Sequence, residues 1–388
     1  MKRFLPRLLS LALTLVLTAG VLTLPGCGSA DGDPTKDGTQ TVTDLLGREV
    51  TVPTDIRRVA CIGAGALRLY SYVGDLSKLC GVEACEYGFL ISVRPYQMVN
   101  QTLFQSLPSV GGGGPQGSPD AEALLSVHPD VIFSLYTSDV AAMDDLQRAT
   151  GIPVVVLSYG ATEAFDEDIL TSLTLMGRIL GREERAGAVT AYIRELKNDL
   201  DRRTADVPDA DRKTVYLGCQ SNYGTHGIES SSANYSIFDV SKIRNVLDEY
   251  VGKNGETFKG YQKSVDWEIL KSLNPQRIVL DAGGLYILKT QLQDKDKSEI
   301  LNSLSAFKKG EIYLQMPYNA YYTNLETAYA DAYFDAWVQY HDIAPEKLNF
   351  DYVEKAREIY TLFLGEDCYD DVADLMHGGF QKLDISKI

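Results

Sequence analysis

Glu122-Ala-Leu-Leu-Ser-Val-His-Pro129, running into Asp130-Val-Ile-Phe133, is answered later in the chain by Glu268-Ile-Leu-Lys-Ser-Leu-Asn-Pro275, running into Gln276-Arg-Ile-Val-Leu280. Glutamate, leucine, serine and proline recur at identical offsets, and Leu273 answers Val127. Each phrase reads as a short helix that opens near its glutamate, is stopped by proline, and gives way to a buried strand. One supersecondary unit used twice predicts two lobes of related topology. Each glutamate falls in a first helical turn, where the macrodipole favours a carboxylate. Two exposed carboxylates at equivalent places on two lobes also form a docking pair for cationic side chains of a two-fold partner.

Outward from these phrases, strand and helix signals alternate. A hairpin turning near Gly47 joins Thr41-Val-Thr-Asp to Glu49-Val-Thr-Val. Then come strand 58–62, helix 66–73, strand 79–83, helix 120–126, strand 130–135, helix 140–150 and strand 153–157, the pattern of parallel strands with crossover helices. Ser118 is the expected cap of the 120–126 helix, with Pro119 at its first position. Residues 168–204 hold no proline, and from Glu183 the apolar stripe Val189, Ile193, Leu196, Leu200 faces one way. Lys197/Asp201 and Asp199/Arg203 are spaced to pair on the wetter side. A helix from Glu183 to Arg203 reaches about 31 Å, enough to bridge two lobes. A second alternating half follows, with strands at 214–217, 277–280 and 311–314 and helices at 324–340 and 352–364.

The amino terminus carries a different message. Lys2, Arg3 and Arg7 precede an apolar run from Leu8 to Leu24, and Leu24-Pro-Gly-Cys27 closes it. This is the layout of a secretory signal peptide, and it resembles a bacterial lipobox in which Cys27 is lipidated. An uncleaved membrane anchor is the alternative; both place the remainder outside the cytoplasm. The organisation expected is signal peptide 1–26, lipidated flexible tether 27–40, N-terminal lobe 41–181, connecting helix 182–204 and C-terminal lobe 205–388. Cleavage leaves 362 residues, suited to two lobes. Losing three basic residues and no acid takes the net charge from −16 to −19, which argues against nucleic acid or anionic lipid as a partner. A lipid on Cys27 would be the whole anchor. Cys61, Cys80, Cys85, Cys219 and Cys368 are an odd, scattered set and read as free thiols rather than a disulfide framework. His128, His226, His341 and His377 lie at no ligand spacing to one another, so a bare metal receptor built on histidines is not expected.

The lipobox, a Glu-x-Leu-x-Ser-x-x-Pro unit in each half and the bridging helix together resemble the substrate-binding proteins of ABC importers for iron-siderophore, haem and cobalamin. The likeness extends from Asp44-Leu-Leu-Gly-Arg-Glu-Val-Thr-Val-Pro53 to the C-terminal helices and includes Leu107-Pro-Ser-Val-Gly111 and Gly151-Ile-Pro-Val154. It implies an α/β fold of two Rossmann-like lobes joined by a single long α-helix, and a non-enzymatic monomer without intrinsic cofactor. The expected cargo is an iron(III) chelate, haem or a corrinoid held between the lobes. Glu122 and Glu268 would dock the ABC permease dimer and, through it, the ATPase.

Ligands of open parallel sheets sit outside the carboxyl ends of the strands. Those ends bring up Arg68, Tyr87, Arg94, Tyr96, Tyr136 and Tyr159 from the first half, and Tyr223, His226, Tyr286, Tyr318, Tyr321 and Tyr322 from the second. Tyrosine joins an apolar ring to a polar tip, suited to a large, partly aromatic chelate, although each ring also suits loop packing. His226 could ligate a metal or only hydrogen-bond the ligand; Arg94, helped by Arg68, would be the counter-ion of an anionic chelate. Gly63-Ala-Gly65-Ala-Leu-Arg68, with Glu83 twenty residues beyond Gly63, nearly forms a dinucleotide fingerprint. Arg68 stands where the third glycine belongs, which leaves an extracellular dinucleotide-binding oxidoreductase as an alternative only. A bilobal surface receptor uncoupled from transport is another. No Gly-x-Ser-x-Gly elbow or His-Glu-x-x-His occurs.

Overall fold

The computed structural model describes residues 38–388 except 89, 115–116, 137–138, 162, 223 and 255–259. The signal peptide, Cys27, most of the tether and Tyr223 therefore lie outside the described residues. Among these, no helix is long and apolar enough to cross a membrane.

A hairpin of β1 (Thr39–Thr43) and β2 (Glu49–Pro53) opens the fold, two residues earlier than expected. It is riveted to the first lobe by Arg48, which donates to Asp44 (2.8 Å), Asp144 (2.9 Å) and the Val154 carbonyl (2.5 Å). The first sheet is formed by β3 (Val59–Ile62), β4 (Leu79–Gly81), β5 (Val131–Ser134) and β6 (Val154–Val156). Its order is β4-β3-β5-β6 and it is parallel throughout. In the second half, β7 (Val215–Gly218) is followed by an antiparallel pair, β8 (Ser231–Ala233) with β9 (Gly260–Gln262). The second sheet then adds β10 (Arg277–Asp281), β11 (Ile312–Gln315) and β12 (Gln381–Lys382), in the order β12-β11-β10-β7 with only β12 antiparallel. The residues of β3, β5, β10 and β11 are buried along their full length, as expected when helices cover both faces of a parallel sheet.

The repeated phrase keeps the same kinds of cap, end and anchoring bond in three dimensions. The helices Ala121–Val127 and Trp267–Leu273 are both capped by an aspartate, Asp120 accepting from the Ala123 amide (2.9 Å) and Asp266 from that of Glu268 (2.8 Å). Both end on a left-handed residue before the proline, His128 (φ 46°) and Asn274 (φ 42°). Ser126 and Ser272 each donate to the carbonyl three residues back. Asp130 accepts from the Arg58 amide, and Gln276 from that of Thr214, so each phrase is sewn to the first strand of its own sheet. The cap is Asp120 and not Ser118: its extended backbone and short carboxylate reach the orphan amide, and Pro119 precedes the helix rather than opening it.

The helix Glu183–Thr204 follows Glu167–Leu180 after a left-handed Gly181 (φ 65°), and it buries Val189, Ile193, Leu196 and Leu200. Asp199 and Arg203 pair at 2.7 Å as the spacing predicts; Asp201 pairs instead with Lys242 of the second half. A second helix also ties the halves. Leu325–Tyr340 is buried around nearly its whole circumference. Its Glu326 meets Tyr72, Tyr329 donates to the Ala164 carbonyl (2.6 Å), Tyr333 to Asp199 (2.9 Å), and Asp331 accepts from the Met316 amide (3.2 Å). One hydrophobic cluster consequently runs through both halves, from Val42 to Phe380.

Candidate functional site

The carboxyl end of β3 sets the geometry. Gly63 (φ 82°) lies so close to Tyr136 that a Cβ would fall 2.7 Å from its amide nitrogen, and a Cβ on Gly65 (φ 90°) would fall 2.7 Å from the Tyr159 ring. These glycines admit neighbouring strand-end loops, not a pyrophosphate. Glu83, placed by spacing where a ribose-binding acid would stand, turns inward and accepts from the Gly63 amide (3.1 Å).

Arg68 is buried, and its five N–H groups are all engaged. They donate to Asn324 Oδ1 (3.0 Å), to the carbonyls of Thr323 (3.0 Å), Ala320 (2.8 Å) and Tyr321 (3.0 Å), and to the Tyr159 hydroxyl (3.3 Å). The loop it holds carries two consecutive tyrosines in the left-handed region, Tyr321 (φ 52°) and Tyr322 (φ 71°). Bulky side chains rarely sit there, and such strain persists only where surroundings over-determine it. The Arg68 guanidinium supplies that determination, so in this conformation Arg68 positions a loop instead of meeting a ligand.

Arg94 is engaged in the same way. It pairs with Glu86, donates to the Cys85 carbonyl (2.9 Å) and to the Tyr96 hydroxyl (2.6 Å), and lies 5.3 Å from the Tyr321 ring centre. Tyr96 in turn donates to Glu86 (2.8 Å) and is fully buried. Beside this group, Glu83 accepts from Tyr136 and, across the lobes, from Tyr321 (2.8 Å). Burial raises the carboxyl of Glu83 above its ordinary value and raises the phenols of Tyr136 and Tyr321, while Tyr159 is pushed up to about 12. These rings are hydrogen-bond donors and aromatic faces at neutral pH, not phenolates.

The remaining expected residues divide by burial. Tyr159 and Tyr318 are core, although the Tyr159 ring centre lies 4.6 Å from that of Tyr322, tilted by 48°, and Tyr322 is 46% exposed. Tyr87 is half-buried and fixed to the Leu107 carbonyl (2.8 Å). Tyr286 is 59% exposed. His226 is half-buried, one ring nitrogen 3.2 Å from the Asn222 carbonyl. Its loop is tied to that of Tyr286 by Asp281, which ends β10 and accepts from the Ser221 amide and hydroxyl (3.1 and 2.8 Å) and the Gly283 amide (2.8 Å). Burial raises Asp281 to about 6. The structure therefore brings together Tyr136, Tyr159, Tyr321 and Tyr322 with Arg68 and Arg94 behind them, and takes Tyr96 and Tyr318 into the core. Glu83, Glu86, Asn324 and Asp281 were not among the expected residues. Glu83 and Asp281 stand at strand ends, where a search for acids as well as for tyrosines and cations would have found them.

Among the described residues no three His, Cys, Asp or Glu side chains are placed to hold a metal ion, and the five cysteines are free thiols. Glu122 and Glu268 are both exposed. A recess of about 470 Å³ lies between the glycine loop at Gly112–Gly113 and the helix of Glu122, and another of about 500 Å³ lies beside Arg212 and Asp248. Neither is between the strand-end loops.

Two α/β lobes bridged by helices, facing each other through strand-end loops, define a bilobal solute receptor. The chain belongs to the periplasmic binding protein family, whose model matches residues 92–317, more than half of it. Solved structures agree on the fold. A periplasmic solute binding protein from Veillonella parvula DSM 2008 is 17% identical with a TM-score of 0.66, over 87% of this chain and 96% of that one. An ABC transporter solute binding protein from Sulfurospirillum deleyianum DSM 6946 is 20% identical with a TM-score of 0.63, over 87% and 98%. The molybdate periplasmic binding protein MolA of Haemophilus influenzae, bound to molybdate, is 16% identical with a TM-score of 0.61, over 84% and 98%. No curated protein matches the chain.

Proposed function

We propose that this protein is the lipid-anchored, extracytoplasmic receptor of an ABC importer that captures a bulky metal chelate and delivers it to the permease. The chelate is an iron(III)-siderophore, haem or a corrinoid. The chain serves as a carrier without catalysis of its own, a monomer tethered through Cys27. The observation that carries the coupling to a permease is the twin placement of Glu122 and Glu268: exposed, one residue into the first turn of two helices built alike on two lobes. A two-fold permease offering a cation to each lobe matches that arrangement. The recess beneath Glu122 adds room for an inserted side chain. The strained Tyr321–Tyr322 loop, with the exposed Tyr286, supports a ligand with ring surface.

The test has two arms. Fluorescence titration of the mature chain with haem, cobalamin and ferric siderophores should find one ligand at micromolar affinity or better. Reversing Glu122→Arg together with Glu268→Arg should leave that affinity within about twofold and reduce uptake in proteoliposomes holding the cognate importer at least tenfold. Lost ligand binding with unchanged uptake per bound ligand would overturn the assignment of the two glutamates. Turnover of a substrate by the isolated chain would overturn the carrier itself.

A further inference from the structure

The helices Ala121–Val127 and Trp267–Leu273 present the same glutamate in different company. Glu122 and Glu268 each follow a capping aspartate by two residues, and both are exposed. Three residues further on, at the spacing that sets side chains side by side on a helix, the first helix exposes Leu125 (40%) and the second exposes Lys271. The Lys271 ammonium lies 3.9 Å from the Glu268 carboxylate. A second cation stands at the same end: the Lys297 ammonium is 5.6 Å from the ring centre of Trp267, the residue before Glu268. The matching residue on the first helix is Ala121.

The first helix has a cation too, but at its other end. Arg58 donates to the carbonyls of Val127 (2.6 Å) and His128 (3.1 Å). Val127 is about 7.5 Å along the helix axis from Glu122. A permease cation arriving at Glu268 therefore meets a like charge beside its target, whereas one arriving at Glu122 meets an apolar side chain there. A unit charge about 4 Å away in water changes an equilibrium roughly fivefold at low salt. The recess of about 470 Å³ bounded by Gly112, Gly113 and Gly117 opens beside Glu122 as well, and gives the stem of an inserted cation room.

Resting on the docking role of the two glutamates above, we infer that the permease grips the two lobes unequally. Glu122 carries most of the electrostatic attraction. Lys271 weakens Glu268 and selects an acceptor oxygen beside the cation on the permease surface that faces the second lobe. The surface that faces the first lobe sets an apolar side chain against Leu125. The two lobes thus use the same anion with different neighbours, one contact steeply dependent on salt and the other shallow.

The experiment measures the affinity of the full mature chain for its cognate importer in nanodiscs at 50 and 500 mM salt. Every position changed is exposed, and an unchanged thermal midpoint confirms that each variant folds. At 50 mM salt Glu122→Gln should weaken docking about tenfold and Glu268→Gln by threefold or less, and 500 mM salt should shrink the gap. Leu125→Lys should weaken docking about fivefold. In a Lys271→Leu background, Glu268→Gln should cost as much as Glu122→Gln does in the native chain. An equal or larger cost for Glu268→Gln in the native chain overturns the inequality and leaves the docking role standing. A cost of Glu268→Gln that ignores Lys271→Leu overturns the part given to Lys271. Docking that ignores both glutamine variants, or no docking by the native chain, overturns the role of the two glutamates, and this inference with it.

Discussion

The two copies of the helix–proline–strand unit share an aspartate cap, a left-handed end and a serine bond, and differ in charge. Asp120 and Asp266 cap them, His128 and Asn274 end them, and Ser126 and Ser272 bond back by the same three residues. Yet Glu122 has no ion pair among the described residues, whereas Glu268 lies 3.9 Å from Lys271. Six residues past the proline, Leu135 in the first copy is answered by a buried Asp281 in the second. The first half alone sends an arginine, Arg68, into the other. Local hydrogen bonding is what a short helix needs in order to exist, so it is kept in both copies. Charge is what distinguishes one lobe's surroundings from the other's, so it is free to differ.

That comparison can be broken or sharpened by mutation. The largest effect belongs to the asymmetric arginine. Arg68→Leu strands the carbonyls of Ala320, Tyr321 and Thr323 without donors and leaves Glu326 without its nearby positive charge, a loss of about 3–5 kcal/mol expected in urea unfolding. Next is the charge that the second copy carries where the first has Leu135. Asp281 titrates near 6 when folded and near 3.9 when unfolded, so between these values the native state binds the extra proton. Stability should therefore fall by about 2–3 kcal/mol as pH rises from 4 through 6, and Asp281→Asn should flatten that slope in calorimetry. Smaller, and equal in the two copies, are the caps: Asp120→Ala and Asp266→Ala should each cost about 1 kcal/mol. A difference above about 0.5 kcal/mol between them would break the equivalence. Smallest is Lys271→Gln, which removes an exposed pair and should change stability by less than about 0.5 kcal/mol.

How much of this was legible beforehand follows the same division. Helices 66–73, 140–150 and 352–364 agree with the sequence to the residue, because Gly65, Asp139, Gly151, Asp351 and Gly365 punctuate them in the chain itself. The four strands of the first sheet came out shorter than expected by a residue or two, whereas β7 and β11 are displaced by one residue and β1, β2 and β10 are one residue longer. The short helix Tyr369–Leu375 and the antiparallel β12 were not expected, since neither is long enough to show a period. The site was legible only as a location. The partners of Arg68 and Arg94 were not legible, because only the folded chain brings Asn324 and Glu86 to them. Tyr96 and Tyr318 carry the same residue type as Tyr286 but are enclosed by elements distant in sequence. Glu83 looked like part of a nucleotide motif, and nothing local reveals that Tyr136 and Tyr321 close over it.

The helix Leu325–Tyr340 decides how this molecule can be taken apart. It is inserted like a mandrel through material from both halves of the chain, with Tyr72 and Ala164 on one side and Met316 on the other. A truncation at Thr204 would leave the first fragment with an open trough and the second with a bare apolar rod. Neither piece made separately should remain dispersed at high concentration, whereas mixing the two during refolding should restore a soluble particle.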